Sequence, residues 1–239
     1  MTKVNVYEVA ARLPDISVLR DRCRALAMLE AIVCPEWEFR YYSFDASWAP
    51  AKEMASMRDG SGDAYSIVFG PAGAFIRGFD HESPMSPVVV GGLWPGLVDT
   101  VPEVFQAHVD EPAFSFDGRL EATFVLWRQH HDDHWRTGTM ELPPHAGHRE
   151  SPDGAELLTI LCDPGPNIYL AFAADYYEVA LDTVAVSRLW TLHPLDGTTV
   201  TALNPDLTLA DVRQDAEQTG YPVTHPRTIG QSDPLAGAT

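Results

Sequence analysis

The sequence predicts an α+β protein in which helices pack on a largely antiparallel sheet built from hairpins. Two observations favour this class. Segments that alternate apolar and polar residues occur in adjacent pairs joined by short turns, which is typical of antiparallel hairpins. Segments with apolar residues at helical spacing lie around these pairs, without the regular strand-helix alternation of a parallel sheet.

Length and composition indicate the size of the folded unit. The chain has 239 residues, of which 45% are hydrophobic, so it can bury a core without disulfides. We expect one globular α+β domain over residues 1–222, with a division near 145–152 if it forms two lobes. Residues 223–239, rich in Pro, Gly and Thr, are expected to form a loosely ordered tail.

Three elements are predicted before residue 60. Apolar residues at helical spacing predict an amphipathic helix over residues 15–33, capped by Asp15 or Ser17. Residues 36–45, EWEFRYYSFD, alternate in period two, which predicts a strand with three aromatic side chains on its core side. These are Trp37, Phe39 and Tyr41. A short helix is expected over residues 50–58.

Two hairpins and a short helix are predicted in the middle of the chain. Residues 63–80 form two β-rich runs joined by a tight turn at 70–73, where glycines provide positive φ angles. A loop with one edge strand follows. A capping-box pattern predicts a helix over 100–109. Residues 119–127 and 134–142 each alternate in period two, which predicts a hairpin with a polar tip.

The last third of the sequence, from about residue 151, is predicted to be mostly helical. Residues 151–162 and 167–181 are predicted as helices, the second because aromatic and small apolar residues recur at helical spacing. Residues 183–192, TVAVSRLWTL, alternate in period two and are predicted as a strand. A capped helix is expected from Thr208 to Gly220.

The charge of the chain excludes some partners and favours others. Sixteen basic residues against 34 acidic ones give a formal net charge of −18, and no basic stripe that could bind nucleic acid is present. A negative field favours a basic protein partner. Three widely spaced cysteines and the absence of a signal peptide or long apolar run predict a cytoplasmic protein without membrane contact. Scarce lysine beside abundant Ala, Arg, Gly and Pro suggests a bacterial origin.

The tip of the second hairpin, WRQHHDDHWRTG, is the first candidate site. His130, Asp132 and His134 alternate and would share one face of extended chain, where they could hold a divalent transition metal with open positions. His145 and His148 could cover that ion. The alternatives are a solvated turn and a loop that contacts a partner, since polar residues collect at hairpin tips.

The second candidate follows the first hairpin, in the sequence FDHESP. Asp80, His81 and Glu82 could provide a catalytic acid and base, because a nearby carboxylate orients a histidine and raises its pKa. This is not the helical zinc motif HExxH, which would need a second histidine at the position of Met85. A turn stabilised by side-chain to backbone hydrogen bonds is the alternative.

Three functions remain open at this point. No nucleophile elbow, phosphate loop or dinucleotide fingerprint is present, and no cofactor is predicted. An acidic α+β chain of this kind resembles, in general character, small bacterial binding and immunity proteins that neutralise toxins, so a non-enzymatic binding protein with an acidic surface is the leading hypothesis. The alternative is a metal-dependent hydrolase built on the His130, Asp132, His134 cluster. A carrier of a small apolar ligand is a further alternative and requires a well-formed pocket.

Overall fold

The fold combines one six-stranded antiparallel sheet with helices packed on it, which confirms the α+β prediction. A computed structural model describes residues 4–143 and 151–224. Its strands are β1 (Tyr42–Ala49), β2 (Lys52–Arg58), β3 (Ala64–Gly70), β4 (Gly73–Phe79), β5 (Ser115–Phe116), β6 (Arg119–Leu120), β7 (Phe124–Gln129) and β8 (Arg136–Thr137). Its helices are α1 (Val6–Arg12), α2 (Ile16–Val33), α3 (Pro87–Val90), α4 (Gln106–Val109), α5 (Thr159–Cys162), α6 (Asn167–Tyr176), α7 (Thr183–Trp190), α8 (Gly197–Leu203) and α9 (Arg213–Thr219).

The sheet is a meander that is completed by a second hairpin. Its strand order is β1-β2-β3-β4-β7-β8, and β5 pairs with β6 in a separate two-stranded ribbon. The predicted turn between β3 and β4 is confirmed, with Gly70 opposite Gly73. Gly73 has a φ of 142°, and a Cβ on it would lie 2.1 Å from the carbonyl oxygen of Arg128. Glycine is therefore required where β7 pairs with the start of β4.

The core lies between the sheet and the helices. All seven residues of β4 are buried, so both faces of the sheet are covered at this strand. The predicted helix over 15–33 is confirmed as α2, which buries Leu19, Cys23 and Leu26. Asp15 precedes this helix but does not cap it with its side chain, because its carboxylate pairs with Arg128 at 2.7 Å.

The predicted strand over residues 36–45 is wrong in its first half. Residues Trp37–Phe39 form a 3-10 turn, and the aromatic side chains of Trp37 and Phe39 are 54% and 63% exposed. The strand begins at Tyr42, which is buried. The guanidinium of Arg58 lies 4.1 Å from the centre of the Trp37 ring, so this ring packs against a cation at the surface and not against the core.

The predicted helix over residues 50–58 is also wrong, since these residues form the turn into β2 and β2 itself. Ala51 adopts a φ of 57°, which reverses the chain after β1. Ala55 and Met57 are buried, whereas Ser56 between them and Met54 before them are only partly buried, and this alternation has the period of a strand. Lys, Glu, Met and Ala favour helices in isolation, but pairing with β1 and β3 decides the outcome here.

The predicted strand over residues 183–192 is helix α7. The carboxylate of Asp182 accepts a hydrogen bond from the Ala185 N–H at 2.7 Å, which caps the helix. Val186 and Leu189 face the core at helical spacing. The period-two alternation over residues 183–192 therefore does not decide the structure, because the Asp182 cap and the packing of Val186 and Leu189 stabilise a helix.

The remaining segments agree in part with prediction. The loop after β4 contains α3 and, within the described residues, no edge strand. The predicted helices over 151–162 and 167–181 are confirmed in shorter form, and the last helix begins at Arg213 and not at Thr208. Helices α1 and α8 were not predicted. Residues 144–150, at the expected lobe division, and 225–239 of the expected tail lie outside the described residues.

No helix in the described part of the chain is both long and apolar enough to span a bilayer.

Candidate functional site

The two clusters singled out in the sequence lie at opposite ends of β4. The backbone N–H of His130 donates to the carbonyl of Ala72 at 3.3 Å, beside the start of β4. Asp80 directly follows Phe79, the last residue of β4. Seven strand residues separate the two ends, roughly 20 Å at about 3.3 Å per residue. The two hairpins therefore do not converge on one site.

The hairpin tip does not bring its three predicted ligands together. His130 lines one cleft, whereas Asp132 and His134 line a different one, of about 810 Å³. The carboxylate of Asp132 accepts the N–H of Gln129 at 2.9 Å, and His134 contacts the neighbouring Asp133. Among the described residues, this triplet is not a group whose ligand atoms meet. His145 and His148 lie outside the described residues.

The structure instead brings Asp63, Asp80 and His81 together. Each offers one ligand atom, and these atoms lie within 4.8 Å of one another. Asp63 precedes β3 and Asp80 follows β4, and because Ala64 pairs with Phe79 both residues lie at the same end of the sheet. Asp63 and Asp80 are buried, and the His81 side chain is 36% exposed. The site is therefore a partly buried group of one imidazole and two carboxylates at the surface.

Hydrogen bonds hold each member of this group in place. Oδ1 of Asp63 accepts the His81 N–H at 2.9 Å and lies 2.6 Å from His81 Nδ1. Oδ1 of Asp80 accepts the N–H of Glu82 at 2.9 Å, and the Asp80 N–H donates to the Thr123 hydroxyl oxygen at 3.1 Å. Ligand groups that are fixed by such outer contacts favour a site with defined geometry.

Residues 153–154, which are distant in sequence, pack directly on this group. The Thr123 hydroxyl donates to the Asp153 carbonyl at 2.6 Å. Gly154 has a φ of 81°, and a Cβ on it would lie 2.3 Å from the Cβ of Asp80. Only glycine permits this approach. The approach brings Asp153 and Glu156 within electrostatic reach of Asp80, although these residues are distant in sequence.

Glu156 is a carboxyl group with a clearly raised pKa. Its pKa is raised to about 7, chiefly by burial; a hydrogen bond from Ser151 opposes this shift, and the charges of Asp80 and Asp153 contribute to it. Its Oε2 is buried and accepts no hydrogen bond from the described residues. Glu156 also lines a small cavity of about 220 Å³. The other residues around this cavity include Tyr41, Tyr42, Met57, Leu157, Ile160 and Phe172.

Of the three predicted catalytic residues, two belong to this group and one does not. Asp80 and His81 belong to the group, whereas Glu82 lies in the exposed turn that follows, where its backbone N–H supports Asp80. Asp63 and Glu156 were missed. Asp63 had a signal in the sequence, because a turn with Gly70 opposite Gly73 places residue 63 opposite residue 80. Glu156 had none, since its position depends on tertiary packing.

Comparison with known proteins gives no relative for this arrangement: the chain matches no family model, no curated protein and no solved structure.

Proposed function

We propose that the protein is a divalent-metal-dependent hydrolase whose ion binds at Asp63, Asp80 and His81. The observation that carries this proposal is the convergence of their three ligand atoms within 4.8 Å. Atoms that coordinate one ion lie about 3 to 4 Å apart when each bond is about 2.1 Å, so small movements suffice. One imidazole and two carboxylates with open positions suit Mn²⁺, Fe²⁺ or Zn²⁺.

The charge around the group supports a cation. Asp63, Asp80 and Asp153 are buried, and Glu156 adjoins them. No arginine or lysine of residues 4–143 and 151–224 forms an ion pair with Asp153 or Glu156. Buried carboxylates that repel one another are stabilised by a divalent cation, which is the largest local charge wherever it binds.

The neighbouring residues provide the remaining functions of a hydrolase. An ion at this position supplies Lewis acidity that polarises a substrate carbonyl or phosphoryl group and lowers the pKa of coordinated water. Glu156, whose pKa is raised to about 7, would accept a proton from the attacking water and return it to the leaving group. The 220 Å³ cavity beside Glu156 has room for a small apolar part of the substrate, which Tyr42 and Phe172 would contact.

The test is metal binding by tag-free protein, measured by elemental mass spectrometry after loading with Mn²⁺ or Zn²⁺ and desalting. We expect one ion per chain, lost in His81→Ala and in Asp63→Asn. The matched control is a His130→Ala/His134→Ala double variant, which removes two histidines from the hairpin tip and should keep the ion. Near-ultraviolet circular dichroism confirms that each variant is folded.

The outcomes separate the two metal hypotheses. Loss of the ion only in the His130/His134 variant would show that the ion binds at the hairpin tip. Absence of metal from all proteins would overturn the metal proposal. For the loaded wild type we expect hydrolysis of an activated ester or phosphodiester panel. Glu156→Gln should abolish this activity and retain the ion.

A second candidate is a bacterial cytoplasmic binding or immunity-type protein that presents an acidic surface to a basic protein partner. The net charge of −18 favours it, and so do exposed apolar side chains on two adjoining segments. Val88 and Val89 are 78% and 65% exposed, and Phe116 is 69% exposed. The side chain of Arg119 reaches the Gly91 carbonyl at 3.5 Å and joins these segments.

The test of this candidate is capture from native lysate against a charge-matched acidic control protein. A true partner should be lost from a Val88→Ser/Phe116→Ser variant and retained by His81→Ala. No enrichment over the control would remove its support.

A further inference from the structure

A large cleft lies at the end of β4 that is remote from Asp80. It is a cleft of about 1160 Å³ between the start of α2, the turns that follow β1 and β3, and the end of β7. Pockets for small ligands usually measure about 300 to 1,000 Å³, so this cleft can take a drug-sized molecule together with water. It contains none of the residues of the proposed metal site.

An irregularity in β1 shapes one wall of the cleft. The pairing of β1 with β2 shifts register between Asp45 and Ala49, so that residues 46–48 bulge from the ladder. Trp48 lies in this bulge and lines the cleft. Its ring stacks on Phe114 with an interplanar angle of 10° and a centroid separation of 6.1 Å. The indole is therefore held in a fixed orientation, backed by a buried aromatic ring.

Basic side chains give another part of the cleft wall a positive charge. Arg20, Lys52 and Arg128 line the cleft, although the whole chain has only 16 basic residues against 34 acidic ones. The carboxylates that line it belong to Asp15 and Glu53. The cleft is therefore locally positive on a strongly negative protein.

The existing ion pairs leave this positive charge incompletely compensated. A single carboxylate, that of Glu53, accepts hydrogen bonds from two guanidinium groups, Arg20 and Arg24. Arg128 pairs with Asp15, but the Asp15 side chain is 72% exposed and its attraction is screened by water. Lys52 forms no ion pair with any residue in the described ranges.

We infer that this cleft binds a planar organic anion, a carboxylate or sulfonate that carries an aromatic ring. Its charge would face Lys52 and Arg128, and its ring would lie against Trp48. The sequence also left open a carrier of purely apolar ligands. Basic side chains are not expected in the pocket of such a carrier, because burying them without an anion is unfavourable. This inference does not rest on the proposed metal site.

The test uses 8-anilinonaphthalene-1-sulfonate as the probe and its uncharged analogue N-phenyl-1-naphthylamine as the control. We expect saturable binding of the sulfonate at one site per chain, with energy transfer from tryptophan, and at least tenfold weaker binding of the neutral analogue. Lys52→Gln should weaken sulfonate binding at least fivefold, and Trp48→Leu should reduce the energy transfer. Arg213→Gln, which removes an exposed charge outside the cleft, should leave the affinity within twofold.

Two results would overturn the inference. One is equal affinity for both probes with no effect of Lys52→Gln, because the cleft would then be an apolar site only. The other is the absence of saturable binding. Thermal unfolding of each variant confirms that probe binding is not due to unfolded protein.

Discussion

The Tyr177 hydroxyl donates a hydrogen bond of 2.6 Å to Oε2 of Glu30, a carboxylate that is completely buried. The same carboxylate accepts the Tyr169 hydroxyl at 3.0 Å and the Tyr41 N–H at 2.7 Å. Burial raises the pKa of Glu30, and these hydrogen bonds lower it again in part. One side chain of α2 thus ties the start of β1 to the end of α6, and so fixes the wall of the cavity beside Glu156.

Removal of the Tyr177 hydroxyl should therefore destabilise the fold. We expect Tyr177→Phe to lower the free energy of unfolding by about 2 kcal/mol, since leaving a buried polar group without its hydrogen bond costs about 1 to 3 kcal/mol. Urea denaturation measures this value. The neighbouring Tyr176 is 49% exposed, and Tyr176→Phe should stay within about 0.5 kcal/mol of wild type. Equal effects of the two substitutions would contradict the role of Glu30.

The raised pKa of Glu156 predicts a pH-dependent stability. A carboxyl group with a pKa of about 7 in the folded protein and an ordinary value of 4.5 stabilises the fold fully below about pH 4.5. This contribution is lost as the pH rises towards 7.

Glu156→Gln should therefore be more stable than wild type at pH 8 and equal to it at pH 4. We expect a gain of about 1 to 2 kcal/mol at pH 8, because the full shift corresponds to about 3 kcal/mol and partial exposure reduces it. Urea unfolding at both pH values, in metal-free buffer, measures the difference. Glu217→Gln on the exposed face of α9 is the control. The same gain at both pH values would contradict the assignment.

Gly78 in β4 is expected to tolerate no side chain. A Cβ at this position would lie 1.8 Å from Cζ of Phe124, inside the sheet. We expect Gly78→Ala to cost about 3 kcal/mol or more, and Phe124→Leu to recover part of this loss in the double variant. Thermal unfolding checks both. Gly197→Ala, which meets no atom within 4 Å, should be neutral or slightly stabilising. An additive double variant would show that Phe124 is not the obstacle.

Ala51 is strained, and glycine should relieve that strain. Its φ of 57° lies in the left-handed region, which costs a residue with a Cβ about 1 to 2 kcal/mol. We expect Ala51→Gly to raise the free energy of unfolding by about 0.5 to 1 kcal/mol after the larger entropy of glycine in the unfolded chain is deducted. Ala49→Gly, two residues earlier in β1, should lower it. Calorimetry that ranks the two variants in the opposite order would contradict this prediction.

The parts of the fold that were predictable are those set by local chemistry. The turn at residues 70–73 specifies its own hairpin, and a long apolar stripe specifies α2. The segments over 50–58 and 183–190 could not be assigned in the same way. Residues 50–58 favour a helix in isolation and residues 183–190 alternate like a strand. Pairing with β1 and β3 overrides the local preference in the first segment, and the Asp182 cap stabilises a helix in the second.

The residues of the candidate site also divide into those that the local sequence predicts and those that only tertiary packing brings in. Asp80 and His81 were found because they adjoin a predictable hairpin, and Asp63 follows from the register of that hairpin. Glu156 reaches the group through the packing of Gly154 on Asp80, a contact between positions 74 residues apart that no local pattern encodes. The histidines of the tip were prominent in the sequence, yet they line separate clefts.

The meander also has a consequence for the order of folding. Strands β1 to β4 are joined by connections of two to five residues, whereas residues 80–123 separate β4 from its other neighbour, β7. Short loops close sooner than long ones, so β4 should spend part of the folding reaction as an unpaired edge that could aggregate with other chains. Arg77 is the one charged residue of β4, and it can discourage such association before it pairs with Glu121 in the finished protein.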